Sequence, residues 1–216
     1  MSHFVGLCFG ENWENDIERY DENKRVDRYM VYTKKEAIEK AIENYKENYD
    51  NASKALDKSD LTPTQIEHFT KVVNRGPSIT EKEAWDKALS WGYDLDDEGN
   101  FYSTYNPDSK WDWYSIGGRW SGFLILKERT DDGEIIEVNE AYFDEIDWNY
   151  MREHQFSPFC FVDEDGDWHE KGEMGWFGVA FNEKSAESWD KYFQDYLDEL
   201  KLADSPCLVT VVDFHI

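Results

Sequence analysis

Three Thr-x-x-Glu/Gln boxes between residues 33 and 83 fix the middle of this chain as helical. They are Thr33-Lys34-Lys35-Glu36, Thr62-Pro63-Thr64-Gln65 and Thr80-Glu81-Lys82-Glu83. In each, the Thr hydroxyl can accept from the backbone N–H three residues on, and the Glu or Gln can reach back to the cap. Apolar residues then recur at helical spacing. The first box leads into Ala37, Ile38, Ala41, Ile42, Tyr45 and Tyr49, the second into Ile66, Phe69, Val72 and Val73, and the third into Trp85, Leu89 and Trp91. Pro63 stands at the first helical position, where its missing N–H costs nothing. The spacing predicts a helical insertion over about residues 33–92.

Both ends of the chain read as strands. His3 to Phe9 is a dense apolar run, and Leu208 to His215 is another. Between the helical middle and the C-terminal strand, Asp97-Glu98-Gly99-Asn100, Asp131-Asp132-Gly133-Glu134 and Glu164-Asp165-Gly166-Asp167 form turn clusters. They separate β-type runs at Phe101 to Tyr105, Phe123 to Glu128, Ile135 to Val138, Phe156 to Val162 and Trp176 to Phe181. Arg25 to Tyr32 alternates and predicts a further strand; Glu11 to Lys24 is polar and predicts a loop. A short helix is expected within 142–154 and an amphipathic one over about Glu183 to Lys201. The expected class is α+β: a mainly antiparallel sheet, ferredoxin-like, with the two terminal strands adjacent, in one domain over 1–216.

Composition narrows the function. The chain has 216 residues, 17% of them aromatic, and ten Trp, which suits a packed domain with an aromatic-lined pocket or interface. Forty-eight Asp and Glu against 23 Lys and Arg give a net charge of −25. Such a surface repels nucleic acid and anionic membranes, so direct nucleic-acid binding is not expected. The acid excess also serves solubility. Cys8, Cys160 and Cys207 lie far apart in apolar runs, the pattern of buried reduced thiols in a reducing compartment. Met1-Ser2-His3 runs into Phe4-Val5 without a basic segment, and no apolar stretch is long enough to span a bilayer. A cytoplasmic location is therefore expected.

The chemistry-bearing stretch is Tyr105 to Gly122, which holds three of the ten Trp. Aromatic faces beside a cation and glycine backbone suit a nucleobase with a phosphate: rings stack, Arg grips the anion, glycine amides face it. The candidate ligand-binding residues are Lys110, Trp111, Trp113, Tyr114, Gly117, Gly118, Arg119 and Trp120. The competing reading makes the Trp residues core and the glycines a hairpin. His169, Lys171 and Glu173, in the run Asp167 to Gly178, are candidate acid–base or phosphate groups, although the run reads first as a plain hairpin arm that needs none of that chemistry; His215 beside Asp213 is a possible acid–base pair. His215 read as a purely structural strand residue is the alternative. Asp163 to Asp167 fails as a calcium loop, because Gly and Glu are absent from the sixth and twelfth positions. No Walker loop, dinucleotide fingerprint, nucleophile elbow or zinc spacing appears, and neither metal nor cofactor is expected.

Tyr105-Asn106-Pro107, Lys110-Trp111-Asp112-Trp113-Tyr114, Gly117-Gly118-Arg119-Trp120, the run Glu170-Lys171-Gly172-Glu173-Met174-Gly175-Trp176 and the ending Val211-Val212-Asp213-Phe214-His215-Ile216 resemble an uncharacterised family of phage- and prophage-encoded proteins. Tyr20-Asp21-Glu22-Asn23 is similar too. The resemblance implies a viral accessory protein acting in the bacterial cytoplasm, and it supplies no catalytic residue. Two partners are then expected in competition. One is a small nucleotide-like immune signal, bound or cleaved in an aromatic and cationic pocket. The other is a host defence protein or nuclease, blocked by an acidic surface that mimics nucleic acid. A structural or regulatory phage role is the third reading.

Overall fold

The computed structural model describes residues 2–58, 61–175, 178–203 and 206–216. They fall into two compact units, residues 1–25 with 105–216, and residues 26–104. The chain opens with β1 (His3–Phe9), followed by α1 (Trp13–Ile17) and a 3-10 turn at Glu18–Tyr20. A loop was expected over Glu11 to Lys24. The helix forms because Trp13, Ile17 and Tyr20 share one face, and Trp13 and Ile17 are buried under the sheet's apolar side.

The helical unit contains β2 (Tyr29–Tyr32), α2 (Lys34–Leu56), α3 (Pro63–Asn74), α4 (Glu81–Leu89), β3 (Asp94–Leu95) and β4 (Phe101–Ser103). All three capping boxes form as read, with hydroxyl and carboxylate or amide exchanging bonds with the opposite backbone groups. Four alanines, Ala37, Ala41, Ala84 and Ala88, let helices approach closely around Phe101, with Trp85 and Trp91 beside them. The expected insertion is thus a compact unit with its own three-stranded sheet, ordered β2-β4-β3.

The remaining elements are β5 (Trp113–Ile116), β6 (Leu124–Arg129), β7 (Ile135–Val138), β8 (Glu140–Tyr142), α5 (Trp148–Glu153), β9 (Cys160–Val162), β10 (Trp168–Glu170), β11 (Glu173–Met174), β12 (Ala180–Phe181), α6 (Ala186–Ala203) and β13 (Leu208–His215). The strand expected over Trp176 to Phe181 is described only at its end, since Trp176 and Phe177 lie outside the described residues. The main sheet runs β10-β9-β1-β13-β5, with β8 also pairing β13. The class is α+β and mostly antiparallel, and β1 pairs along its whole length with the other terminal strand, β13, His3 opposite His215. One neighbour pair, β1 with β9, is parallel, where a ferredoxin-like sheet alternates throughout.

Alternation splits the sheet into two apolar faces. Val5, Leu7, Phe9, Val209 and Val211 face α6, whose buried stripe is Trp189, Phe193, Leu197 and Leu200. Phe4, Cys8, Val212 and Phe214 face α1 and Trp111. The three cysteines are buried and unbridged, and desolvation pushes the Cys8 and Cys160 thiols well up, so they remain inert thiols. On the α1 side, Gly6 leaves room for its neighbours: a Cβ there would stand 2.5 Å from a ring carbon of Phe214 and 2.8 Å from the Cys160 sulfur. Gly6→Ala is therefore expected to overpack this face and cost about 1–3 kcal/mol in urea denaturation. An unchanged midpoint would contradict the packing described.

Candidate functional site

The site is built where β1, β13 and β5 lie side by side at their ends. Register places His3, His215 and Trp113 in one cross-strand row, with Asp213 and Ser115 in the next row on the same face. In these rows Asp213 and His215 take the places that Val209 and Val211 hold further back on the same face of β13. Trp113, 44% exposed, stacks on the His215 ring with centroids 4.8 Å apart and planes 21° apart. His3 meets Trp113 edge-on at 5.3 Å and His215 at 4.9 Å.

Each imidazole is anchored on a carboxylate. His3 Nδ1 lies 2.9 Å from Asp213 Oδ1, and His215 Nδ1 lies 2.5 Å from Asp112 Oδ1. An ionised carboxylate only accepts, so both Nδ1 atoms donate and both Nε2 atoms are left for other partners. The Nε2 of His215 is buried and has no hydrogen-bond partner among the described residues. Asp213 has a second duty. Its Oδ2 accepts the backbone N–H of Arg119 at 3.0 Å, so one buried carboxylate holds both His3 and the turn that carries Arg119.

That turn explains the paired glycines. Gly117 and Gly118 both have positive φ, +69° and +49°, and they lead into a 3-10 turn at Gly118–Trp120. A Cβ on Gly117 would collide with the Asn139 side chain, and one on Gly118 with Asp213 and Ser115. Close approach to Asp213 is what the motif requires of Gly118. The Arg119 side chain is exposed, and it has no hydrogen bond or ion pair among the described residues.

The structure therefore brings together Trp113, Gly117, Gly118, Arg119, Asp213 and His215 of the sequence candidates. The pairing differs from the expected one: Asp213 binds His3, and His215 binds Asp112. Residues two apart on a strand share a face, but their side chains stand parallel and reach across to neighbouring strands instead. His3 and Asp112 were missed by sequence reasoning. The available signal was the expected antiparallel pairing of the termini, which sets the two end histidines opposite each other.

The other candidates are elsewhere. Trp111 is 7% exposed, and its indole N–H donates to the Ile17 carbonyl at 3.1 Å, a core position. Tyr114 is half-buried against Trp13 and Phe214, and its hydroxyl donates to Glu14. Trp120 packs against the opposite core. Lys110 is ion-paired with Glu170 at 2.6 Å, so its charge is already matched. Glu173 is exposed on β11 and accepts from Asn182. His169, at the level of Leu7 and two strands from β1, has both nitrogens bonded: Nε2 to Asp163 and Nδ1 to the Tyr192 hydroxyl, each at 2.7 Å. Burial and then the carboxylates of Asp163 and Glu199 push the Tyr192 phenol up, so it stays a donor.

Ser2, the residue before β1, reaches the second motif stretch. The Ser2 hydroxyl donates to the Gly175 carbonyl at 2.7 Å and accepts from the Gly178 amide at 2.6 Å. A cavity of about 680 Å³ lies apart from this site, among Tyr142, Phe143, Trp148, Arg152, Leu197 and Lys201. Lys127 donates to the Asp144 carbonyl and Arg152 to Asn149; Asp144, Asp147 and Asp198 also line it, and no imidazole does. Among the described residues, no group of three His, Cys, Asp or Glu side chains is placed to hold a metal ion. No family model, curated protein or solved structure matches the chain.

Proposed function

We propose that the chain binds a nucleotide-type ligand at the end of the β1/β13/β5 row, and that it does so as a phage accessory protein directed against a nucleotide immune signal. The observation that carries the ligand class is the double attachment of Asp213. It ties an imidazole with a free ring nitrogen and the turn bearing an unpaired guanidinium to one carboxylate, beside an exposed indole. An indole face takes a base, a guanidinium takes phosphate oxygens in a fork, and an imidazole Nε2 takes a hydroxyl or a phosphate oxygen. The phage setting rests on the motif resemblance.

Calorimetric titration against cyclic dinucleotides and ADP-ribose derivatives tests the reading. Binding is expected for at least one of them, and Trp113→Ala and Arg119→Ala are each expected to weaken it at least about fivefold, the lower end of what one stacked base or one charge-assisted contact contributes. No heat across the panel sinks the proposal. A salt-sensitive complex with a basic host protein in its place would favour the acidic-mimic role instead.

A further inference from the structure

We infer that this site cleaves its ligand, with His3 and His215 as the two proton-transfer groups of a phosphodiester transfer on a 3′–5′-linked ribonucleotide. The inference rests on the nucleotide-binding reading above. Its ground is a contrast within the molecule. His169 is what a structural histidine looks like here: stacked on Phe161 at 4.5 Å, with Asp163 on one nitrogen and Tyr192 on the other. His3 and His215 have a carboxylate on Nδ1 only.

At His215 the vacancy is costly. The residue is 2% exposed, and its Nε2 has neither a partner among the described residues nor access to water. A buried polar atom left without a partner is destabilising, because it gave up its hydrogen bonds to water and gained none. A purely structural role does not explain why β13 carries histidine there. A ligand that supplies the partner does. The cover over the ring is Trp113, on the edge strand β5 and 44% exposed, so a base stacking against the indole can shift it off the imidazole.

Two imidazoles side by side, with ring centroids 4.9 Å apart and an Nε2 on each not engaged by a carboxylate, suit a reaction that takes one proton and gives another. The substrate's own 2′-hydroxyl is the nucleophile. Its oxygen forms a bond to phosphorus while the bond from phosphorus to the 5′-oxygen breaks. The hydroxyl proton passes to the Nε2 of one imidazole, and the other imidazole gives its Nε2 proton to the departing 5′-oxygen. The products are a 2′,3′-cyclic phosphate and a 5′-hydroxyl, and nothing else is consumed. The imidazoles recover their starting protonation by exchange with solvent. Arg119 stabilises the charge on the non-bridging oxygens, and Asp213 and Asp112 hold the two rings in the required tautomer.

The test uses the full chain with linear ApA, cyclic di-AMP and their 2′-deoxy counterparts, with products read by mass spectrometry and binding by calorimetry. A ribonucleotide is expected to yield a 2′,3′-cyclic phosphate, and the matching 2′-deoxy compound is expected to bind and stay intact. His3→Asn and His215→Asn are each expected to lose at least about 100-fold in rate. His154→Asn, a change on an exposed ring bonded to the Tyr150 carbonyl, is expected to keep it. If His215→Asn fails to fold, His3→Asn and the 2′-deoxy arm decide alone. Ribonucleotide bound but never cleaved overturns this inference and leaves the binding reading standing. Cleavage that survives His3→Asn, or that proceeds on the 2′-deoxy compound, also overturns it. Neither binding nor cleavage removes both.

Discussion

Asp213→Ala is expected to destabilise the protein by about 2–4 kcal/mol and to abolish the nucleotide binding proposed for the native chain. The side chain is 3% exposed and accepts twice, from His3 Nδ1 and from the Arg119 amide. Alanine leaves two donors without an acceptor. Each such loss costs about 1–3 kcal/mol when the group stays dry. The Arg119 amide cannot turn to solvent without unwinding the turn at Gly118–Trp120, whereas His3, 11% exposed, recovers part of its loss from water. Asp213→Asn is expected to fall between the two, because its carbonyl oxygen still accepts from the amide. Its NH₂ group, however, faces the ring nitrogen that now donates, and His3 must change tautomer. A double-mutant cycle with His3→Ala separates the pair from the rest: the combined loss is expected to be smaller than the sum of the single losses. Strict additivity would mean that the two side chains do not share the bond described. Retained binding in Asp213→Ala would mean that the Arg119 turn is held by something other than this carboxylate.

Why this site was only half legible in the sequence follows from where its residues lie. Local signals were read correctly: the capping boxes at Thr33, Thr62 and Thr80 all form, and their chemistry is complete within four residues. The terminal strands were legible as apolar runs, and their adjacency followed from the fold class. His3 and Asp213, by contrast, are 210 residues apart, and only the register of β1 on β13 brings them together. The stretch from Lys110 to Trp120 was obscured by its own composition. Its tryptophans, lysine and glycines read as one binding loop, yet the backbone from Trp113 to Ile116 pairs with β13 as an edge strand. Strand alternation then sends Trp113 to the histidine face and Tyr114 to the opposite core. A segment that reads as one motif in sequence is therefore split over two faces. α1 was hidden for a different reason. The surrounding acids masked the spacing of Trp13, Ile17 and Tyr20, although that spacing alone is helical.

The largest loss of stability without loss of the proposed binding is expected from Trp189→Ala, at about 3–5 kcal/mol, or roughly 10 °C in melting temperature. Trp189 is 1% exposed and sits in the first turns of α6, where it meets Phe161 at 5.7 Å and Tyr192 at 5.9 Å. Its indole N–H donates to the Pro158 carbonyl at 2.7 Å, so truncation opens a cavity and orphans an acceptor at once. Trp189→Phe fills most of the volume and still loses the bond, which places it near one third of the alanine cost. The same ring array, Phe161 against His169, Tyr192 and Tyr196, ties α6 to β9 and β10 at the end of the sheet away from His3. Loosening it should leave the geometry of the histidine row intact below the melting transition. Denaturant titration measures the first effect, and ligand titration of the folded variant measures the second. A cost under about 1 kcal/mol would show that α6 does not rest on this tryptophan. A collapse of binding in the folded variant would show that the helix face and the histidine row are coupled through β1, and the site would then have to be described as one with the core beneath α6.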